Sequence, residues 1–250
     1  MTSRSFVVFG LISCLSLWSQ SLAAAEFKSW ETTLSSALTL MEGNVDAIQI
    51  SNDLTVTHRD SLLELSYSGG LDYAEQEDIK VQQYLSSRLT ADWWYDKTWS
   101  PFVFASIEQN YQKAIDMRWQ LGVGGKYTFW RDDDNTLSIS AAIVRDQTNY
   151  IEGAGLDDIE GAARASIRLK GNHRLTEAGV TFQHVTFYLP SLDLIKNDES
   201  DIRWNTNLKL LAPLVSALSL SVSYSYDFEN ISGTRAPADS ELEIGLQLRL

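Results

Sequence analysis

The feature that most constrains the fold is a two-residue alternation of apolar and polar side chains that continues to the last residue. In the segment 218–228, leucine, valine, tyrosine and phenylalanine alternate with four serines and an aspartate. Successive side chains of a β-strand point to opposite faces, so this period predicts a strand with one apolar and one polar face. The chain is therefore expected to be all-β.

Counting such segments predicts twelve strands. They lie at about 30–42, 47–58, 61–74, 79–92, 98–110, 116–131, 136–149, 158–169, 174–188, 200–211, 217–229 and 240–250. Most exceed the about 9–11 residues that a tilted strand needs to cross a bilayer. An even number of antiparallel strands allows closure without exposed edges. We predict a single antiparallel transmembrane β-barrel over residues 26–250, with ten or fourteen strands as the margin.

The connections alternate in length in the second half of the chain. Short turns are predicted at 131–135, 170–174 and 212–216. Longer loops are predicted at 150–157, 189–199 and 230–240. Short turns on one side and long loops on the other are the arrangement of outer-membrane barrels, with both chain ends in the periplasm.

Aromatic residues lie where the two interfacial girdles of such a barrel would be. The strands that run toward the long loops end near Tyr73, Tyr111, Tyr150, Tyr188 and Phe228. The opposite rim holds Trp30, Trp93, Trp94, Tyr95, Trp99 and Trp130. Amphipathic rings prefer the headgroup level of a membrane, although ordinary packing at strand ends is the alternative explanation.

The two ends of the chain carry export signals. Residues 1–25 have a basic start, an apolar stretch and a small-residue run, which predict a signal peptide cleaved near Ala25. Cys14 stands in a setting that resembles a lipoprotein cleavage box, but the apolar stretch continues past it. The last strand resembles the signal read by the outer-membrane assembly machinery, through Glu243, Gly245, Leu248 and Leu250. The expected partners are this machinery, lipid and lipopolysaccharide.

The charge balance and the cysteine count exclude several classes of function. Without residues 1–25 the chain has 19 Lys+Arg against 33 Asp+Glu, and no cysteine. Nucleic acid is an unexpected partner, because phosphate neutralisation needs a basic face. A thiol nucleophile, a disulfide framework and a cysteine-based metal site are excluded from the mature chain, and no cofactor is expected.

Three segments resemble a known family. They are Trp30 with the run 40–46 (LMEGNVD), the glycine-rich strand 121–127 (LGVGGKY), and the segment 220–227 (LSVSYSYD). They resemble the YdiY-like proteins, a domain-of-unknown-function family described as salt-induced outer-membrane proteins. The resemblance spans nearly the whole mature chain. It implies an outer-membrane location and a barrel fold, and it implies no catalytic or binding residues.

The alternation also places charges on the inward face. The predicted lumen-facing basic residues are Arg118, Lys126, Arg164, Arg168, Arg203 and Lys209. The predicted lumen-facing acidic residues include Glu64, Asp72, Glu241 and Glu243. Segregated charges of this kind predict either a narrow, charge-selective pore or a lumen that paired side chains fill. The sequence leaves both open.

Catalysis and metal binding have weaker signals. His184 and Thr186 are the one nearby hydroxyl–imidazole pair on a face, and they lack an evident third partner, so an enzyme is not expected. His58 and His173 fall in predicted periplasmic turns. The run 132–135 lacks the glycine and distal glutamate of a calcium loop. Acidic outer loops could share divalent ions with lipopolysaccharide, through Glu75, Glu77, Asp78, Asp198, Glu199 and Asp201. The remaining functional class is a structural barrel, which stabilises the envelope or docks a partner by its outer loops.

Overall fold

The computed structural model describes residues 30–41, 47–76, 79–196, 199–231 and 237–250. The predicted signal peptide, residues 1–25, lies outside this part of the chain. The strands are β1 (Trp30–Met41), β2 (Ala47–Arg59), β3 (Leu63–Gln76), β4 (Ile79–Trp93), β5 (Trp99–Asn110), β6 (Ile115–Arg131), β7 (Asn135–Tyr150), β8 (Ile159–Arg174), β9 (Thr181–Lys196), β10 (Glu199–Val215), β11 (Leu218–Glu229) and β12 (Ala238–Arg249). Within the described residues, no helix has the length and apolar character that a membrane span requires.

The strands form one closed barrel. Each strand pairs with its neighbours in chain order, and β12 pairs with β1, where Leu34 lies opposite Leu248. Backbone hydrogen bonds between Thr32 and Leu250, at 2.8 and 3.0 Å, extend this seam to the last residue. The prediction of a twelve-stranded antiparallel barrel is confirmed. The end at which β1 begins and β12 finishes is called the periplasmic end below, and the opposite end the outer end.

The predicted asymmetry of the connections is wrong in part. Only 151–158 and 230–237 are long outer connections, with eight residues each, and the predicted loop at 189–199 shrinks to 197–198. The predicted turn at 170–174 is strand, and the turn follows at 175–180. Strand β9 therefore runs about seven residues later than predicted. Its Pro190 lies where the β9–β10 register shifts, a position that accommodates a residue without an N–H.

The barrel is apolar outside and polar inside. On β7, Ser138, Ser140, Asp146 and Thr148 are buried inward. Many outward side chains are large, apolar and at least a third exposed, among them Leu54, Leu71, Leu89, Val103, Leu121, Ile143, Ile167, Leu210, Leu220 and Ile244. A continuous exposed apolar surface of this extent needs an apolar solvent, which lipid provides.

The aromatic girdles are only partly as predicted. At the periplasmic rim Trp30, Trp94, Trp99 and Trp130 are 46–67% exposed and available to a lipid interface. At the outer rim Tyr150 instead points inward and packs with a buried apolar cluster. Tyr188 lies in the middle of β9, against Trp204 at 5.9 Å between ring centroids, because β9 continues to Lys196.

An outward-facing arginine lies near the outer end of β7. Arg145 is five residues from the outer end of β7 and extends over Gly161 of β8. Gly161 has a φ of +71°, and a Cβ there would meet the guanidinium at 2.0 Å. The glycine thus provides both the left-handed backbone and the space that this side chain occupies.

The periplasmic turn 132–134 is closed by Asp132. Its carboxylate accepts hydrogen bonds from the Trp130 indole at 2.8 Å and from the backbone amides of Asp134 and Asn135. The indole hydrogen bond first, and then the amides, hold the pKa of Asp132 below its usual value. The carboxylate that the calcium hypothesis would have used is therefore engaged in the turn.

Glycine at position 122 is required by packing. A Cβ there would lie 2.2 Å from the Phe104 ring, which is buried at 4% exposure. We expect Gly122→Ala to destabilise the barrel by about 1–3 kcal/mol, the usual effect of overpacking. Gly125→Ala is the matched control, because no atom lies within 4 Å of a Cβ at that outward position. Urea unfolding of both variants in lipid vesicles measures the difference; equal stabilities would contradict the packing.

Candidate functional site: the barrel lumen

The lumen contains one large cavity in the described part of the chain. Its volume is about 680 Å³. The lining residues run from the outer end, at Lys113 and Glu229, to the middle of the strands, at Asp53, Lys209 and Glu243. The cavity is therefore an outer vestibule of the lumen.

Carboxyl groups outnumber basic groups around this vestibule. Its five basic side chains are Arg88, Lys113, Arg118, Arg203 and Lys209. Its eight acidic side chains are Asp53, Asp72, Glu108, Asp227, Glu229, Asp239, Glu241 and Glu243. The formal excess of three negative charges favours cations over anions in a confined aqueous space.

The acid-rich wall comes from β2, β3 and β12. Asp53, Asp72, Glu241 and Glu243 line it, and Gln49 donates a 2.7 Å hydrogen bond to Glu241. Since β2, β3 and β12 are separated by β1 alone, barrel closure brings the chain's two ends into one acidic surface. These four carboxyl groups therefore lie on one side of the lumen.

A buried ion network occupies the opposite wall near the outer end. We call Arg118, Asp146, Arg164, Asp201, Arg203 and Glu229 the interior network. Arg164 has no exposed surface and pairs with Asp146 at 2.6 Å and with Asp201. Arg203 reaches Asp146 at 3.1 Å and Asp201 at 3.2 Å. Charges that have lost their water are held only by such multiple partners.

Arg118 connects the interior network to the vestibule. Its guanidinium contacts Glu229 at 3.0 Å and Glu108 at 3.4 Å, and donates to Thr148 at 3.0 Å. The predicted basic residues Arg118, Arg164 and Arg203 are thus brought together, but as a cross-linked wall. Neutralising Arg164 would test folding rather than permeation, because it contacts no open space.

Below the vestibule lies a layer of stacked arginine and phenylalanine side chains. We call Arg88, Phe102, Phe104, Arg168 and Phe187 the Arg–Phe layer. The Arg88 guanidinium lies 3.8 Å from the Phe104 ring centroid and 6.0 Å from that of Phe187. Arg168 lies 5.6 Å from the Phe102 centroid and 5.9 Å from that of Phe187. These distances permit cation–π attraction.

The side chains of the Arg–Phe layer leave little space between them. The gap between its side chains has a volume of about 10 Å³, close to the minimum that one water molecule needs. Arg168, predicted as a pore residue, therefore lies in this packed layer and outside the lining of the vestibule.

The periplasmic half of the lumen is charged and paired. Lys126 forms an ion pair with Asp92, and both are mostly buried. Glu64 pairs with Arg59 at 2.6 Å, Arg59 with Glu31 at 2.9 Å, and Glu31 with Arg249 at 3.0 Å. The last three pairs are partly exposed, so they lie where the periplasmic end of the lumen meets the solvent.

Several site residues were missed by the sequence analysis. No site role was predicted for Asp92, Asp146, Glu229 or the phenylalanines of the Arg–Phe layer. The alternation on β7 already put Asp146 on the inward face, opposite Arg145. The hypothesis that Asp201 belongs to an acidic outer loop is wrong, since it is buried beside Arg164. Glu77, Asp78 and Asp198 lie outside the described residues, so that hypothesis is not tested there.

His184 and Thr186 have different partners in the structure. His184 faces outward beside His173, at 3.4 Å between Nε2 atoms. Thr186 shares a 3.2 Å hydrogen bond with Thr206. His173 is in strand β8 and His58 in β2, so their predicted placement in turns is wrong.

Comparison with known proteins identifies the family. The chain matches the model of "Protein of unknown function, DUF481" over residues 35–248, and it belongs to this family. A search of curated proteins gave no match.

Solved structures of outer-membrane barrels were compared with the chain, and a porin among them shares its fold. The NanC porin is 11% identical with a TM-score of 0.52, covering 88% of this chain and 100% of the porin. The β domain of the Bordetella autotransporter BrkA is 14% identical, with a TM-score of 0.45 over 88% of this chain and 97% of that domain. The translocator domain of the autotransporter NalP from Neisseria meningitidis is 11% identical, with a TM-score of 0.45, covering 97% of this chain and 96% of that domain. At these identities the likeness concerns the fold alone.

Proposed function

We propose that the chain forms a narrow, cation-preferring channel for small ions or small hydrophilic solutes in the bacterial outer membrane. The observation that carries this proposal is the vestibule of about 680 Å³ with its excess of carboxyl groups. A lumen built only for stability has no need of an open space with unbalanced charge. Confinement between low-dielectric walls strengthens the attraction of such charges for ions.

The route to the membrane is part of the same proposal. We infer export by the signal peptide, residues 1–25, and recognition of Glu243, Gly245, Leu248 and Leu250 by the assembly machinery. In the folded barrel Gly245 lies at the seam, where a Cβ would be 2.9 Å from the carbonyl oxygen of Ser36. A side chain at position 245 would therefore oppose closure of β12 on β1.

A substitution in the Arg–Phe layer tests whether ions pass through this part of the lumen. Phe187 faces the lumen between Arg88 and Arg168 and lines both the vestibule and the small gap below it. We expect Phe187→Ala to raise the single-channel conductance in a planar bilayer, because it joins the two spaces. Phe129→Ala removes an outward ring that is 49% exposed and should leave conductance unchanged. Equal conductance of both variants would place the permeation path elsewhere or exclude it.

A non-conducting structural barrel is the second candidate. The observation that favours it is the interior network, which cross-links five strands, β6, β7, β8, β10 and β11, inside the lumen. The resemblance to salt-induced proteins agrees with such a role in envelope stress. A folded, inserted barrel that passes no current with or without Phe187 would favour this candidate.

A further inference from the structure

Two histidines converge on the outward face of the barrel wall, on the side opposite the lumen. His173 of β8 pairs in register with Asn135 of β7, and His184 of β9 pairs with Gly171 of β8. Asn135 is the first residue of its strand, so the cluster lies at the periplasmic rim. The vestibule and the Arg–Phe layer use none of these residues.

The imidazoles are held in a defined orientation. Their rings are nearly parallel, at 14°, with centroids 5.5 Å apart. The Oδ1 atom of Asn135 lies 3.1 Å from Nδ1 of His173. Because this oxygen can only accept, Nδ1 carries the proton and Nε2 presents its lone pair toward His184. Aromatic rings flank the histidine pair on both sides. The ring centroid of Trp130 lies 5.7 Å from that of His173, and the centroid of Phe182 lies 5.7 Å from that of His184.

The space between the imidazoles depends on a glycine. A Cβ at position 171 would lie 2.2 Å from Nε2 of His184 and 2.7 Å from Nε2 of His173. A side chain at position 171 would therefore displace both nitrogens, so the glycine allows the two imidazoles to approach each other. Gly171 has a negative or extended backbone, so its conformation alone does not demand glycine.

The separation of the two nitrogens matches a tetrahedral metal centre. Two Zn–N bonds of about 2.0–2.1 Å at about 109° place their nitrogens about 3.3–3.4 Å apart. The two Nε2 atoms are 3.4 Å apart. We propose that His173 and His184 bind a zinc-like divalent metal ion at the periplasmic rim, with Asn135 as the positioning residue. Within the described residues no third histidine, cysteine or carboxylate joins the pair, so the remaining coordination positions are open to water.

Zinc titration of the untagged, refolded chain in detergent tests the site. Isothermal titration calorimetry should show one saturable Zn²⁺ per chain, and Co²⁺ should give the absorption of a tetrahedral complex. His173→Gln and His184→Gln should each weaken Zn²⁺ at least about tenfold, and Asn135→Ala about 10–100-fold as for other outer-shell partners. His58→Gln is the matched control, because it removes the third histidine from a different strand, and should bind as the wild type does.

Gly171→Ala separates a built site from two histidines that bind zinc independently. It keeps both histidines, but its methyl group would lie 2.2 and 2.7 Å from their Nε2 atoms and force the imidazoles out of position, so Zn²⁺ affinity should fall as far as in the histidine variants. Circular dichroism reports whether each variant keeps its β-structure; if Gly171→Ala does not fold, the two histidine variants decide. Absence of saturable binding to the wild type, or unchanged binding by His173→Gln and His184→Gln, would overturn the proposal.

Discussion

Asp146→Ala is expected to destabilise the folded barrel by about 3–5 kcal/mol, the usual consequence of removing one partner from a buried ion pair. Asp146 has no exposed surface and faces two guanidinium groups, those of Arg164 and Arg203. Without it, both arginines share the carboxylate of Asp201. Arg164 contacts no open space, so it cannot recover its hydration when this carboxylate is removed.

Urea unfolding in lipid vesicles, followed by tryptophan fluorescence, measures this loss. Glu241→Gln is the control, because Glu241 is exposed in the vestibule and its substitution should change stability by no more than about 0.5 kcal/mol. If Asp146→Ala unfolds at the same urea concentration as Glu241→Gln, the interior network does not hold the barrel together.

Neutralising the acidic wall is expected to lower the preference for cations several-fold. Asp53 and Glu243 both line the vestibule, on β2 and β12. In water each unit charge attracts a cation about 7 Å away by about 0.6 kcal/mol, so removing two changes the cation occupancy several-fold. The double variant Asp53→Asn, Glu243→Gln should therefore reduce the ratio of cation to anion permeability.

Reversal potentials across a salt gradient measure that ratio. Glu152→Gln is the control, since Glu152 is exposed in the outer connection 151–158 and lies outside the lining of the vestibule. The effect should shrink in 1 M salt, where charges are screened beyond about 3 Å. A double variant with the wild-type ratio at low salt would show that permeating ions do not pass the vestibule.

Much of the fold was accessible from the sequence because a strand's period of two is visible without tertiary information. The alternation predicted twelve strands and the inward position of Arg118, Arg203 and Lys209. It failed at β9, which was predicted to end at residue 188 although its pairing with β10 continues past Pro190. The hydrogen-bonded pairing of β9 with β10 outweighs the local sequence preference at that point.

The site could be predicted only to the level of which side chains face inward. Which charges pair depends on distances across the lumen between strands far apart in sequence. Arg118 and Glu229, for example, are 111 residues apart. The choice between an open and a filled lumen likewise depended on the sizes of Phe102, Phe104 and Phe187, which alternation treats as any other residue. The His173–His184 pair was obscured because β8 was predicted to end at residue 169.

Single-channel recording of the refolded mature chain in a planar bilayer tests the central claim most directly. We predict small, steady conductance steps with a preference for cations, because the vestibule is carboxylate-rich and the side chains of the Arg–Phe layer leave little space between them. Folded and inserted protein that carries no current, in the wild type and in Phe187→Ala alike, would contradict the account of this barrel as a channel.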